Sequence, residues 1–385
     1  MIKNSKLFIF SLILILFSNA NASEIEKIKI GLLIPTSNEN YEFGQTIIKA
    51  VRMAMNDINS DKIEIIIKDS KKDPTTALRS SMELKQQGVN LVIGPVFYES
   101  LEYLDEIDEM IFLSLTNKTT DLPNNVISSG VNSTSQLNTI KKFLEENEIK
   151  DTIFLTPKIS YEQELQRGIK KSKIKIKKNH FYDREPTKLT KQIEEITNYK
   201  IRKQNLDDEI YRVENSNEFN KEKKLQELKM KYTLGEVDFD SVIIADFEES
   251  LKSVTTSLLY SDISPTEKYF ITLNQWFDKS LIQEKDIQPI YYPSINKNNF
   301  EKYKLRYQLE FNEEPNHLSL LSYDLVGLVY YLAYQNNFKF NDVKKLFKRK
   351  NSFKGKIGIF DIKNNEINHR LNFYKVENKK LIEIF

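Results

Sequence analysis

The 385-residue chain contains no cysteine, which excludes disulfides, a thiolate zinc site, a cysteine nucleophile and a lipid-bearing cysteine. Histidine is scarce. His180, His317 and His369 lie far apart, each with one carboxylate three residues away (Asp183, Glu314, Glu366) and none with a second histidine nearby. Such spacing favours exposed or capping histidines over a metal site. The sequence also lacks a G-x-S-x-G elbow, a P-loop, an H-E-x-x-H pair and a Gly-rich dinucleotide fingerprint, so it reads as a non-enzyme without a cofactor. An excess of one charge is missing too: the formal net charge is +2, and Lys3 and Lys6 supply it from the extreme N-terminus. The remainder is near neutral, so no nucleic-acid footprint is expected. The one long apolar run, Leu7 to Phe17 broken only by Ser11, sits between those lysines and Ala20-Asn21-Ala22. It is about half as long as a spanning helix and reads as a signal peptide over residues 1–22. The expected product is a soluble periplasmic protein starting near Ser23, with no membrane span and enough chain for two domains.

What is present is an alternation of strand and helix signals. Ile28 to Ile34 is an apolar, β-rich run closed by Pro35, and after Gly44 the residues Ile47, Val51, Ala54 and Ile58 recur at helical spacing. A second strand, Ile63 to Lys68, leads to Asp73-Pro74, an N-cap and first helical position, and that helix ends at Gly88. Further strands are predicted at Leu91 to Ile93 and Met110 to Leu113. After Gly130 a second α/β unit begins: a helix over Ser133 to Glu146, a strand at Thr152 to Leu155, a helix from Tyr161, then strands at Ile174 to Ile176, Ser241 to Ala245, Tyr269 to Leu273 and Pro289 to Tyr292. Between them, residues 188–232 are dense in both charge signs. Leu189, Ile193, Ile196, Leu206, Ile210 and Val213 follow a near-heptad track there, which predicts two helices broken at Asn215-Ser216-Asn217, outside the sheet. Helices over Phe300 to Phe311 and Leu318 to Tyr334 come next, and the tail (Lys356 to Asp361, Leu371 to Val376, Leu381 to Ile384) reads as antiparallel strands. The rhythm predicts an α/β fold of parallel sheets with right-handed crossovers and ligand loops beyond the strands' carboxyl ends.

The segments IKIGLLIPTSNENYEFGQTIIKAVRMAMNDIN (28–59), DSKKDPTTA (69–77), QGVNLVIGP (87–95), MIFLSLTN (110–117), DSVIIADFEES (240–250) and HLSLLSYDLVGLVYYL (317–332) resemble the type I periplasmic binding proteins of the leucine-binding kind. The resemblance implies two lobes joined by three crossings around a ligand cleft: residues 24–130 plus 294–350 as lobe one, 131–293 plus 351–385 as lobe two with the 188–232 helical insertion. It further implies that an amino-acid ligand's carboxylate meets hydroxyls and N–H groups of lobe one, and its ammonium an acidic group of lobe two. Carried over by motif, the cleft candidates are Phe43, Tyr98, Ser114, Thr116 and Asn117 on lobe one, and Tyr161, Phe247, Asn274 and Trp276 on lobe two. Two positions depart from the pattern. Val96-Phe97-Tyr98-Glu99 lacks the small hydroxyl expected after Gly94-Pro95, and Asn274 stands where the acid is expected. A buried ammonium without a carboxylate is costly, which argues against free amino acids as ligands.

The charged helical segment, NQWFD (274–278) and FKGKIGIFDI (353–362) are in turn similar to penicillin-binding protein activators, which implies a regulator of peptidoglycan synthesis acting on a synthase. The alternative is the solute receptor of an amino-acid ABC permease, with a small polar ligand. Fold alone does not separate them. Structural roles stay open for each candidate: Phe43 and Tyr98 as sheet-edge caps, Tyr161 as inter-lobe packing, Asp69 as a turn cap and Trp276 as packing beneath the cleft.

Overall fold

The computed structural model describes residues 27–340 and 342–385, so the expected signal peptide, 1–22, lies outside it. Five parallel strands form the first sheet: β1 (Ile28–Ile34), β2 (Ile63–Asp69), β3 (Leu91–Ile93), β4 (Ile111–Ser114) and β5 (Val126–Ser128), in the order β2-β1-β3-β4-β5. Alternation along β1 explains why both faces are covered. Ile30, Leu32 and Ile34 enter one apolar cluster while Leu33 enters the cluster on the opposite face. Helix α1 (Tyr41–Ile58) buries Ile47, Ile48, Val51 and Ala54 against the first face. Helix α2 (Pro74–Gln86) starts as its Asp-Pro pair predicts, with the Asp73 carboxylate accepting from the Thr76 N–H at 2.7 Å.

The chain then leaves for a second sheet. Its helices and strands run α3 (Ser133–Glu146), β6 (Thr152–Pro157), α4 (Glu162–Ser172), β7 (Lys178–Tyr182), α5 (Pro186–Ile196), α6 (Tyr199–Glu214), α7 (Lys221–Lys229), β8 (Ser241–Ile244), α8 (Glu248–Tyr260), β9 (Tyr269–Thr272), α9 (Lys279–Gln283) and β10 (Ile290–Ser294). It returns to the first core through α10 (Lys297–Phe311), α11 (His317–Gln335) and α12 (Val343–Lys348), followed by a small antiparallel sheet of β11 (Asn351–Lys354), β12 (Ile359–Lys363) and β13 (Glu366–Arg370). The last hairpin, β14 (Asn372–Glu377) and β15 (Lys380–Glu383), completes the seven-stranded order β15-β14-β10-β9-β8-β6-β7. The strands β6 to β10 are parallel and β14 pairs antiparallel to β10. The chain therefore passes between the two cores after β5, β10 and β13. Among the described residues no helix is long and apolar enough to cross a membrane.

Three expectations need correction. The strand placed at Ile174 to Ile176 lies at Lys178–Tyr182, since Ile174 and Ile176 pack under the sheet while the edge strand itself is half exposed and shows little apolar signal. The insertion is three helices rather than two. Its first, α5, belongs to the main core: Leu189 and Ile193 sit in the cluster formed by Ile153, Val242 and Val254. Leu206, Val213 and Leu228 on α6 and α7 make a separate seam, with the expected Ile210 packed against it.

The third correction concerns the tail. Residues 351–371 were expected with the second lobe, yet Ile357, Phe360, Ile362, Ile367 and Leu371 share the first sheet's cluster with α11. Asp324 on α11 is the reason: its buried carboxylate accepts the Lys356 and Ile357 N–H groups at 2.9 and 2.7 Å. Period-two alternation marks a strand but does not name the core it faces.

Candidate functional site

The carboxyl ends of both parallel sheets carry the candidate residues. On the first sheet, Gly44 lets α1 start against the β1 loop, because a Cβ there would lie 1.8 Å from the Pro35 carbonyl oxygen. That packing brings Phe43 beside Phe97, with ring centroids 5.7 Å apart, and Lys72 lies 4.9 Å over the Phe97 ring. Tyr98, two-fifths exposed, is covered by the Lys118 ammonium at 3.3 Å from its ring centroid. Ser114 is fully buried, and its hydroxyl donates to the Pro95 carbonyl at 2.8 Å, so it holds the β3 loop rather than facing a ligand. The Thr116 hydroxyl accepts from the Lys118 N–H at 3.1 Å, and Asn117 is exposed. Asp69 at the end of β2 accepts from the Thr36 and Lys71 N–H groups, both at 2.9 Å.

The second sheet gathers a tighter group. Tyr161 donates to the Ala245 carbonyl at 2.6 Å and meets Phe247 edge-on at 6.2 Å. Behind them Asp246, fully buried at the end of β8, accepts from the Tyr182 hydroxyl at 2.6 Å, the Arg184 guanidinium at 2.6 and 3.2 Å, and the Phe247 N–H at 3.0 Å. Burial, seconded by the Asp246 charge, pushes the Tyr161 and Tyr182 hydroxyls well above the ordinary phenol range, so both remain protonated donors. Arg184, whose side chain is 38% exposed, presents the cluster's cation to solvent. Asn274 has one half of its amide committed within the chain. It is buried, and its amide oxygen accepts the Trp276 N–H at 3.0 Å and the Ser294 hydroxyl at 2.8 Å. Trp276 stacks on His317 of α11 at 4.6 Å, tying the β9 turn of the second sheet to the first core.

The structure therefore brings together Phe43 with Phe97, and Tyr161 with Phe247, while the Ser114 hydroxyl is spent on the Pro95 carbonyl and the Asn274 amide oxygen on Trp276 and Ser294. Sequence reasoning missed Arg184, Asp246 and Glu164. Asp246 was legible, since it follows the strand SVIIA directly. Arg184 was hidden by the misplaced strand. Glu164 gave no signal: it lies in the first turn of α4, and its buried carboxylate receives N–H and hydroxyl groups of Thr119 and Thr120, across from the other lobe. Among the described residues no group of three or more His, Cys, Asp or Glu is arranged to hold a metal.

Residues 27–199 match the family model described as periplasmic binding protein. The fold is that of the type I periplasmic binding proteins. No curated protein matches the chain by sequence. Among solved structures, a protein assigned provisionally to a branched-chain amino acid ABC transporter of Rhodospirillum rubrum superposes with a TM-score of 0.68 at 12% identity, covering 93% of this chain and 100% of that one. The LpoA C-domain of Haemophilus influenzae, a regulator of PBP1A, gives 0.61 at 14% identity over 93% and 100% of the two chains. The leucine binding protein LivK of Thermotoga maritima gives 0.54 at 14% identity over 93% and 98%. At these identities the likeness establishes the fold and leaves the ligand and partner to the site itself. Two buried carboxylates, Asp246 after β8 and Glu164 in the first turn of α4, are both engaged by the chain's own donors.

Proposed function

We propose that the protein is an exported member of the periplasmic binding protein family that acts non-enzymatically on a macromolecular partner, as a regulator of peptidoglycan synthesis in the manner of the penicillin-binding protein activators. The observation that supports this reading is the internal saturation of Asp246, which carries four hydrogen bonds from Tyr182, Arg184 and Phe247. A free α-amino acid needs an unpaired carboxylate for its ammonium. Desolvating that ammonium against a filled Asp246 and an inward-turned Asn274 goes uncompensated. The sequence similarities at 274–278 and 353–362 point the same way, and the LpoA C-domain, a regulator of PBP1A, has a similar fold.

A second reading, the receptor of an ABC permease, is favoured by one observation. Arg184 offers a half-exposed guanidinium beside Tyr161 and Phe247, a setting for an anionic ligand with an apolar body.

A pull-down from envelope extract with residues 23–385 as bait separates the two, because it returns a peptidoglycan synthase in the first case and a permease in the second. Calorimetry with leucine, isoleucine and valine is expected to show no micromolar binding, and micromolar binding of any of them overturns the first reading. Peptide mapping of the protein from cells is expected to show an N-terminus near Ser23 in the periplasmic fraction.

A further inference from the structure

Four donors from two consecutive residues converge on one carboxylate at the boundary between the lobes. In the loop after β4, the Thr119 N–H and hydroxyl reach Glu164 at 2.7 and 2.8 Å, and the Thr120 N–H and hydroxyl reach it at 2.5 and 2.6 Å. Three of the bonds fall on Oε1 and one on Oε2, and Glu164 is 9% exposed. A carboxylate is acceptor-only, so it is the group this loop is shaped to receive. The loop belongs to the first sheet and Glu164 to α4 beside the second. Helix α4 is itself held in place: the Ser133 hydroxyl donates to the Glu164 carbonyl at 2.8 Å, and Gly168 approaches Ser133 so closely that a Cβ would lie 2.6 Å from its oxygen.

We propose that the Thr119–Thr120 loop is a carboxylate receptor of which Glu164 is the resident ligand. Glu164 thereby acts as a specificity determinant, closing this part of the cleft to free monocarboxylates and joining the lobes without a bound solute. The inference rests on the cleft lying at the strands' carboxyl ends, as the functional reading does, but not on the identity of any partner. Removing the Glu164 carboxylate leaves two N–H and two hydroxyl donors without their acceptor, a vacancy that a carboxylate of the right size fills better than water.

The test is chemical complementation. In Glu164→Ala the deleted atoms are a CH2 and a carboxylate, so acetate matches the gap. Sodium acetate is titrated into the variant and the wild type during thermal melts, with sodium chloride at equal ionic strength and acetamide as the neutral shape control. The expected result is a variant that melts below the wild type and recovers saturably with acetate alone, together with a smaller radius of gyration by X-ray scattering when acetate is bound. The wild type is expected to respond no more to acetate than to chloride. A folded variant indifferent to acetate, or a wild type that responds as the variant does, overturns the proposal.

If Glu164→Ala does not fold, the volume-conserving Glu164→Gln is combined with Thr119→Val and Thr120→Val in a double-mutant cycle. Strong coupling is expected, and additive losses overturn the receptor assignment. If acetate restores the variant while envelope pull-downs return no synthase, the regulator reading fails and the receptor stands.

Discussion

Helix α5 and the pair α6–α7 share one stretch of charged sequence and one near-heptad track, yet they are held by different forces. Leu189 and Ile193 of α5 are inserted between the second sheet and α8. By contrast Leu206, Val213 and Leu228 of α6 and α7 form a cluster of their own, closed by Ile210, Leu225 and Leu234, and Tyr211 is left 71% exposed. Apart from one aromatic contact, Tyr199 with Tyr260 at 5.7 Å between ring centroids, what fastens that pair to the lobe is polar. The buried Arg202 donates to the Thr197, Ser261 and Asp262 carbonyls and to the Thr233 hydroxyl. A heptad track reports that a face is buried; it does not report whether the face meets a sheet or another helix.

The largest expected effect that would break this contrast comes from deletion. Replacing 186–232 by a Gly/Ser linker removes Leu189 and Ile193 from the sheet core, and the cooperative thermal transition is expected to disappear. Replacing only 199–234 is expected to preserve it. Arg202 touches both Thr197 and Thr233, so the cut ends lie close and the linker adds little closure entropy. Equal behaviour of the two deletions would erase the distinction. Single truncations repeat it on a smaller scale: Ile193→Ala is expected to cost ~2–5 kcal/mol in urea unfolding, as a buried isoleucine does, and Val213→Ala ~1–2 kcal/mol.

A pH measurement sharpens a related contrast within the first core. His369 on β13, in contact with the Ser129 carbonyl at the first crossing, is driven by burial to a pKa of about 4, and Asp324 is driven by burial up to about 6. The signs oppose. The unfolded chain takes up a proton on His369 between about pH 6.5 and pH 4 while the folded chain does not, so His369 lowers stability on acidification by up to about 3 kcal/mol. The folded chain keeps a proton on Asp324 that the unfolded chain has lost between about pH 4 and pH 6, so Asp324 raises stability on acidification by a similar amount. His369→Gln is expected to gain stability relative to the wild type as pH falls from 6.5 to 4, and Asp324→Asn to lose it. Parallel pH profiles for all three proteins would show that neither group titrates as its burial requires.

The smallest effect concerns the surface of α6. Arg212 bonds Glu209 and Glu218 at 2.7–2.9 Å, but these side chains are solvated. Arg212→Ala is expected to leave the urea midpoint almost where it was, the more so at high salt. A larger loss would mean that charge pairs, and not the Leu206 to Leu228 seam, hold the pair of helices together.

The elements were legible wherever local chemistry is decisive. Asp73-Pro74 started α2, the apolar run from Ile28 to Ile34 marked a buried strand, and the strand–helix rhythm implied parallel sheets. Legibility failed where a residue's role depends on what crosses the chain far away in sequence. Asn274 occupies the position expected of a ligand anchor, but Trp276 and Ser294 turn it inward. Asp246 could be placed at a strand end from its neighbours, whereas its partner Arg184 follows an edge strand whose polar face concealed it.

From the sequence alone, period and punctuation determined the parallel winding and the strands and helices with strong apolar patterns, because those depend on contacts within a few residues and on the two-sided burial of apolar side chains. The tertiary structure alone decided that β11 to β13 join the first core, that α5 belongs to the second sheet, and that Glu164 meets Thr119 and Thr120. Each of these pairings joins segments that are not neighbours in the chain by hydrogen bonds or packing, and loop-closure entropy changes so slowly with chain length that local pattern carries no record of which distant partner is chosen.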